Sequence, residues 1–192
     1  MNLPNKLTIA RIVAVPFFVA LYMTGHYFCA LVIFILASIT DMLDGQIARS
    51  RNLITNFGKI MDPLADKILV YSAFCLMVAD KDHLVPAWML AVILAREFLV
   101  SGVRTVAASE GIVIAADMSG KIKTVLQMIA VPLLLFVKAM GYPAFSFIKS
   151  GMPESTGEVV SFLAQVFLWG ALIMTVVSGI SYVLNNKEVF RQ

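Results

Sequence analysis

Four aspartates lie in two closely spaced pairs, and these pairs are the part of the sequence best suited to chemistry. Asp41 and Asp44 are three residues apart, and Asp62 and Asp66 are four residues apart. On a helix, either spacing places both side chains on one face. Four ionised carboxylates repel one another in a low-dielectric site unless cations lie between them. The pattern therefore predicts a metal site, and all-oxygen ligands favour magnesium or manganese over zinc.

A site of this kind suits displacement at phosphorus. Two metal ions bridged by shared aspartates would stabilise both the attacking and the leaving oxygen. Gly45 and Gly58 lie near the two pairs and remove side chains where backbone or substrate must come close. Two other interpretations use the same acids, namely charged helix ends that face water and the ion pathway of a divalent-cation transporter. A transporter predicts acids spread through the depth of the membrane.

The elements that must position these residues are membrane helices. Of the 192 residues, 60% are hydrophobic and 14% are charged, whereas soluble domains are about half apolar and about a quarter charged. Hydrocarbon leaves backbone groups unsatisfied, so apolar segments of about 20 residues must be helical. We predict an all-α, polytopic membrane protein with six transmembrane helices, in which residues 1–192 form a single integral-membrane catalytic domain. The predicted segments are residues 7–24, 27–49, 58–79, 86–108, 119–140 and 159–184.

The distribution of basic residues predicts the orientation of these segments. With the N-terminus inside, the outer side carries only Lys81, Lys138 and Lys149 of the 15 lysines and arginines. Arg96 lies within a segment, and the others lie at inner ends and loops. Because cytoplasmic loops are enriched in lysine and arginine, we expect both termini and the aspartates on the cytoplasmic side of the cell membrane. The net charge of +3 is too small to indicate a nucleic-acid partner.

The residues around the aspartates resemble the signature of the CDP-alcohol phosphotransferase family. That signature is D-x-x-D-G-x-x-A-R, then eight residues, then G-x-x-x-D-x-x-x-D. The six-helix layout is similar as well, so the resemblance spans nearly the whole chain. Every fixed position is present: Asp41, Asp44, Gly45, Ala48, Arg49, Gly58, Asp62 and Asp66.

The resemblance implies a reaction and a set of roles. The donor would be a CDP-linked lipid such as CDP-diacylglycerol, and an acceptor alcohol would attack its lipid-bearing phosphate and release CMP. Two divalent metal ions, Mg²⁺ or Mn²⁺, would be held by the four aspartates in each active site. Asp66 would also act as the general base that takes the proton from the acceptor hydroxyl. The resemblance further implies a bundle like that of the family and a homodimer.

Contacts to the donor are also implied by position. Gly45, Ala48 and Arg49 look like contacts to the cytidine diphosphate. The upstream run that begins at Asn5 and contains Thr8 resembles a family pattern near the nucleotide, although Asn5 could equally be a helix cap. Thr55, between the two halves of the motif, is a weaker candidate for the same role.

A second region bears on the acceptor. The sequence from Arg96 through Arg104, followed by Gly120-Lys-Ile-Lys-Thr124, looks like the branch of the family that uses glycerol 3-phosphate. An acceptor phosphate needs fixed cations, and Arg104, Lys121 and Lys123 fall at inner ends of consecutive helices. The alternative for the two lysines is the general bias of basic residues toward the inner side, or attraction to anionic lipid headgroups.

Arg96 and Glu97 have no role in these assignments. Because they are adjacent in sequence, we expect them to point to different faces and not to need each other as partners. An arginine in the middle of a membrane segment is costly, so Arg96 is expected to have a function or a buried partner.

The resemblance implies the first two of three candidate functions, and the acidic residues alone suggest the third. The first is phosphatidyl transfer from CDP-diacylglycerol to glycerol 3-phosphate. The second is the same chemistry with another acceptor, such as inositol phosphate, serine or phosphatidylglycerol; a cation pocket argues against serine. The third is divalent-cation transport, which gives no reason for the spacing of the glycine, alanine and arginine after Asp44.

Overall fold

Long α-helices make up most of the computed structural model, which describes residues 3–50, 56–109, 111, 114, 117–145, 151, 153 and 155–186. Side chains of residues 3, 4, 42–50, 56–60, 62, 63, 66 and 144 are outside that description. The described ranges contain no strand. The helices are α1 (Leu3–Met23), α2 (Tyr27–Ser50), α3 (Asn56–Ala79), α4 (Ala87–Ser109), α5 (Met118–Met140) and α6 (Thr156–Asn185), with a 3₁₀ turn at Pro143–Phe145.

The six predicted segments are confirmed as helices, with ends that differ by a few residues from those expected. Within the described residues, three stretches are long and apolar enough to cross a membrane: Asn5–Met23, Met118–Met140 and Thr156–Asn185. Helices α2 and α3 contribute shorter apolar stretches, since the remainder of each carries the charged motif. In α4 the apolar run is interrupted by Arg96, Glu97 and Arg104. The chain is a multi-pass membrane protein in which the candidate aspartates lie on the less apolar helices α2 and α3.

A large apolar core holds most of the bundle together, and a smaller cluster of Val100, Val103 and Tyr182 joins α4 to α6. Helix α5 packs along α6 and also against α2 and α3, while α1 packs against α2 and α3, and α4 packs against α6. Each helix contributes a fully buried side chain to this core: Phe18, Phe34, Phe74, Met89, Leu134 and Leu168.

The outward surface of the bundle is apolar as well. Phe17, Phe98 and Phe162 are 62%, 73% and 69% exposed. Large exposed apolar surfaces are rare on soluble monomers and mark sites of contact with partners or membrane. An apolar outer surface is therefore consistent with the membrane location that the composition predicts.

Ion pairs close the end of the bundle opposite the motif. Lys138 of α5 pairs with Asp80 at 2.7 Å and also with Asp82, both in the connection after α3. Tyr22 Oη of α1 donates to Asp80 Oδ2 at 3.0 Å, so that Asp80 connects three elements. Burial alone would raise the pKa of Asp80, but hydrogen bonds from Lys138 and Tyr22 outweigh it and hold the pKa below its ordinary value.

Replacing Asp80 with asparagine should destabilise the fold without touching the motif end. We expect a loss of about 1.5–3 kcal/mol, typical of a hydrogen bond to a charged group, measured as a lower thermal midpoint in detergent at neutral pH. A carboxyl group with a lowered folded pKa stabilises above its unfolded value, near pH 4. The difference in thermal midpoint between the wild type and the variant should therefore disappear as the pH falls below that value.

Asp82→Asn is the matched control for this prediction, because Asp82 shares the partner Lys138 but its side chain is 60% exposed, against 16% for Asp80. Exposed pairs contribute at most about 1 kcal/mol. Equal losses for the two variants would contradict the assigned importance of burial and of Tyr22.

Candidate active site

The aspartate motif lies where α2 ends and α3 begins. Asp41 and Asp44 fall in the second half of α2, and Asp62 and Asp66 fall in the first half of α3. The two helices contact each other. The convergence of the four carboxylates stays a prediction, because the side chains of Asp44, Asp62 and Asp66 lie outside the described part. The side chains of Ala48 and Arg49 are also undescribed, only the helical backbone is described at Gly45 and Gly58, and Thr55 is outside the described residues altogether.

Asp41 is paired with a buried arginine. Helices α1 and α2 are joined by a short turn and run antiparallel, and Arg11 and Asp41 lie nearly the same number of residues from that turn. Arg11 Nη1 is 2.7 Å from Asp41 Oδ1, and the arginine side chain is 1% exposed. A buried guanidinium group requires an anion nearby. Arg11, which ends the run from Asn5 that resembles the family pattern near the nucleotide, therefore connects α1 to the motif helix α2.

The candidate nucleotide residues on α1 share the face of Arg11. Asn5, Thr8 and Arg11 follow one another at intervals of three, which places them on one side of a helix. They are 8%, 0% and 2% exposed, and each interacts with other parts of the chain. Their shared face turns inward at the end of the bundle that carries the motif. The proposed contact of Asn5 and Thr8 with the nucleotide stays a prediction.

A polar cavity of about 360 Å³ lies between α3, α4, α5 and α6. All three cations predicted for the acceptor, Arg104, Lys121 and Lys123, line it. Lys67 and Arg96 line it as well, while Glu97 and Asp117 are the acids in its wall. Five cationic side chains against two acidic ones make this cavity suited to an anion.

Glu97 lies at the centre of the cations. Its Oε1 accepts hydrogen bonds from Arg96 Nη1, at 2.7 Å, and from Lys123 Nζ. Its Oε2 lies 3.3 Å from Lys67 Nζ. The expectation that Arg96 and Glu97 point apart was wrong, because the long arginine side chain turns back to its neighbour while Arg96 Nη2 donates to Ser178 of α6. The expectation of a buried partner for Arg96 is confirmed.

The other cations are more accessible. Arg104 is exposed, and its guanidinium carbon lies 5.7 Å from the centre of the Tyr182 ring, which is within range of a cation–π contact. Lys121 is also exposed. Lys67 Nζ donates to Ser101 Oγ at 3.3 Å, and its side chain is 40% exposed. An anion that enters the cavity can therefore reach several of these cations directly.

Asp117 lies at the rim of the cavity, immediately before α5. Ser119 donates a hydrogen bond to its carboxylate, which lowers the pKa of Asp117 below its ordinary value. Asp117 is thus ionised at neutral pH and adds a negative charge to the cavity entrance beside Lys121.

Sequence reasoning missed Lys67, Glu97 and Tyr182 as neighbours of the predicted cations. A signal existed for Lys67, because it directly follows Asp66 in the motif. Consecutive α-carbons are about 3.8 Å apart, so the cavity wall on α3 begins one residue beyond the predicted base. No pattern indicated Tyr182, which is brought to the cavity by the packing of α6 against α4.

The donor set of the motif fits a hard divalent cation. All four predicted ligands are carboxylates, and no thiolate or imidazole belongs to the set. Among the residues whose side chains are described, no three of the histidines, cysteines and acids form a metal-binding group. Three of the four predicted ligands are outside that set, so this finding does not bear on the motif.

Comparison with known proteins gives consistent matches. The profile of the CDP-alcohol phosphatidyltransferase family matches residues 1–177. The CDP-diacylglycerol–glycerol-3-phosphate 3-phosphatidyltransferase of Bacillus subtilis is 42% identical, over 99% of this chain and 97% of that protein. The protein of the same name from Rickettsia typhi is 37% identical, over 98% of this chain and 99% of that protein. The one from Escherichia coli K12 is 38% identical, over 70% of this chain and 77% of that protein.

Proposed function

The chain belongs to the CDP-alcohol phosphatidyltransferase family, and on that premise we propose that it transfers the phosphatidyl group of CDP-diacylglycerol to glycerol 3-phosphate. The products are phosphatidylglycerophosphate and CMP, so the enzyme acts in phospholipid biosynthesis. Relatives that match almost the whole chain carry the name of this reaction. The family supports the donor chemistry, and the similarity to these relatives supports the choice of acceptor.

The cation-rich cavity is the observation that carries the acceptor assignment. Glycerol 3-phosphate brings a phosphate dianion, and charge-assisted hydrogen bonds from lysine and arginine are the strong contacts for such a group. Arg104, Lys121 and Lys123 line one cavity, whose wall on α3 is Lys67, the neighbour of Asp66. A phosphate bound there would leave a hydroxyl of the same small molecule close to the motif.

In the proposed reaction, Asp66 accepts the proton of the acceptor hydroxyl as the new oxygen–phosphorus bond forms. The bond between the lipid-bearing phosphate and CMP breaks, and CMP leaves with the electron pair. An alcohol is a poor nucleophile, so a carboxylate within hydrogen-bond reach is needed to activate it. Asp41, Asp44, Asp62 and Asp66 would hold Mg²⁺ or Mn²⁺, two ions in each active site. When bound, these ions offset the charge on the phosphate oxygens and on CMP.

The donor, CDP-diacylglycerol, would be held mainly by α2 and α1. Gly45, Ala48 and Arg49 are proposed to contact the cytidine diphosphate, with Asn5 and Thr8 on the inward face of α1 nearby. Thr55 is proposed for the same role with less support. The pair between Arg11 and Asp41 keeps these two helices in register at the end that must bind the nucleotide.

The other functions have weaker support. Inositol phosphate would suit the same cations, but the similar proteins are named for glycerol 3-phosphate. Serine and phosphatidylglycerol lack the phosphate dianion that the cavity favours. The family match leaves the transporter hypothesis without a supporting observation.

We further propose that the protein lies in the cytoplasmic membrane as a homodimer, with both termini and the motif on the cytoplasmic side. The excess of lysine and arginine at the motif end supports that orientation. The family resemblance supports the dimer.

The proposed function is tested by the purified protein in detergent micelles. CMP release from CDP-diacylglycerol is measured with glycerol 3-phosphate, inositol phosphate, serine, phosphatidylglycerol and free glycerol. We expect glycerol 3-phosphate to give by far the highest rate. A higher rate with any other acceptor would assign the protein to another branch, and absence of CMP release with every acceptor would contradict the enzyme assignment for this donor.

Neutralising the predicted acceptor cations should weaken use of glycerol 3-phosphate selectively. Arg104→Gln, Lys121→Gln and Lys123→Gln each remove a charge-assisted contact worth about 1.5–3 kcal/mol, which is roughly a ten- to hundredfold fall in kcat/KM for the acceptor. The KM for CDP-diacylglycerol should change little. Lys123→Gln should also lower stability, because Lys123 is 3% exposed and its loss leaves Glu97 with fewer partners.

Lys81→Gln is the matched control, since Lys81 is an exposed lysine at the opposite end of the bundle. The low rate with free glycerol should hardly respond to any of the substitutions. Equal losses with glycerol and glycerol 3-phosphate would mean that these residues support structure or the donor. Unchanged rates with glycerol 3-phosphate would mean that Arg104, Lys121 and Lys123 contribute only to the orientation of the protein in the membrane.

A further inference from the structure

One carboxylate, that of Glu97, contacts cations from three helices. Arg96 lies on α4, as Glu97 does. Lys67 lies on α3, and Lys123 lies on α5. The Glu97 side chain is 9% exposed, those of Lys123 and Arg96 are 3% and 12% exposed, and that of Lys67 is 40% exposed. Three of the four charged groups are therefore largely desolvated, and Lys67 connects them to the accessible side of the cavity.

Burial makes the carboxylate necessary for the arrangement of the cations. Like charges repel strongly where the dielectric constant is low, and removing one member of a buried ion pair leaves an uncompensated charge. In the described part of the chain, Glu97 is the acid that forms ion pairs with Lys67, Arg96 and Lys123. Without it, these cations would move apart or toward water.

The same contacts connect the acceptor cavity to the catalytic motif. Lys67 follows Asp66 on α3 and is held both by Glu97 and by Ser101 of α4. Arg96 extends the network to Ser178 of α6. Glu97 thus links α3, which carries the predicted base, to α4 and α5, which carry the acceptor cations.

We propose that Glu97 is a positioning residue of the acceptor site, which holds Lys67, Arg96 and Lys123 as a fixed array for the phosphate of glycerol 3-phosphate. This inference rests on the proposed function for the identity of the acceptor. A carboxylate also repels a phosphate, so two effects oppose each other. Positioning outweighs repulsion here, because three cations already surround Glu97 and Arg104 and Lys121 remain to attract the anion.

Glu97→Gln tests this role, because glutamine has nearly the same shape and lacks the charge. At saturating CDP-diacylglycerol, the KM for glycerol 3-phosphate should rise about tenfold or more, since displacing a positioned group by about 1 Å can cost about 10²-fold. The KM for CDP-diacylglycerol should be unchanged. Glu97→Asp restores the charge with one methylene fewer, and its acceptor KM should lie between those of wild type and Glu97→Gln. Asp82→Asn, at the opposite end, should leave both KM values unchanged.

A second measurement does not depend on turnover. Millimolar glycerol 3-phosphate or inorganic phosphate should raise the thermal midpoint of the wild type, and this rise should be largely lost in Glu97→Gln. If Glu97→Gln does not fold, Glu97→Asp is assessed in the same two ways, and a wild-type KM in that variant would overturn the proposal. If the acceptor assay shows that the protein uses some other acceptor, the proposed function is rejected. The role of Glu97 still stands in that case, provided that the phosphate-induced rise in thermal midpoint is lost in Glu97→Gln.

Three results would overturn the inference. An acceptor KM that falls in Glu97→Gln would show that the carboxylate competes with the phosphate. Equal changes in the KM values of donor and acceptor would show a general structural role. An unchanged acceptor KM, with only a lower thermal midpoint, would show that the cations hold their positions without Glu97.

Discussion

Asp66→Asn should lower turnover by about 10²–10⁴-fold, the range typical of a lost general acid or base. Asparagine keeps the size of the side chain and one oxygen for a metal ion, but it cannot accept the proton of the acceptor hydroxyl. The variant should therefore retain its fold and its binding of CDP-diacylglycerol. Turnover is measured as CMP release at saturating concentrations of both substrates, and donor binding is measured separately by the shift in thermal midpoint that CDP-diacylglycerol produces.

Asp82→Asn is the matched control for Asp66→Asn, because it makes the same chemical change at the opposite end of the bundle and should retain normal turnover. A near-normal rate in Asp66→Asn would remove Asp66 from the role of base. Loss of donor binding together with turnover would instead make its main role that of a metal ligand.

Chelation of divalent metal should abolish activity. The carboxylates of the motif repel a pyrophosphate unless cations lie between them, so EDTA should reduce CMP release to the background rate. Adding back Mg²⁺ or Mn²⁺ in excess should restore activity, because both ions favour oxygen ligands. The measurement is the rate after EDTA treatment and dialysis, followed by titration with each ion.

Zn²⁺ serves as the control ion in this experiment, since it prefers nitrogen and sulfur ligands and tetrahedral sites. It should restore less activity than Mg²⁺ or Mn²⁺. Full activity after exhaustive chelation would show that the aspartates act without metal ions, and the proposed roles of Asp41, Asp44 and Asp62 would then have to be withdrawn.

The helical architecture could be predicted from the sequence because it depends on local patterns. Apolar segments in hydrocarbon have little choice except helix, and all six segments were found within a few residues of their observed ends. The ends were less certain, since the charged turns at the motif end are helical without being apolar. Helix α1 thus begins at Leu3 and α3 begins at Asn56, each ahead of its apolar segment.

The site could be predicted only as a set of candidates. Spacing indicated that Arg104, Lys121 and Lys123 lie at inner helix ends, and they do line one cavity. Spacing could not show that Glu97 lies among these cations, because that depends on how α3, α4 and α5 pack. The error about Arg96 and Glu97 has the same origin: backbone directions separate neighbouring side chains on a helix, but a long arginine side chain can turn back when a buried carboxylate attracts it.

Arg96 also lies between a polar cavity and an apolar groove. Its side chain lines the polar cavity on one side and, on the other, an apolar groove between α4 and α6 that is bordered by the exposed residues Leu99, Val176 and Ile180. The guanidinium group belongs to the cavity, while the methylene groups pass Gly179, where even a β-carbon would come within 3.3 Å of Arg96 Cγ. Such a boundary would suit an enzyme that joins a water-soluble alcohol to a membrane lipid. A shorter side chain at position 96 is therefore expected to remove the barrier between the cavity and the groove, which Arg96 lines on both sides.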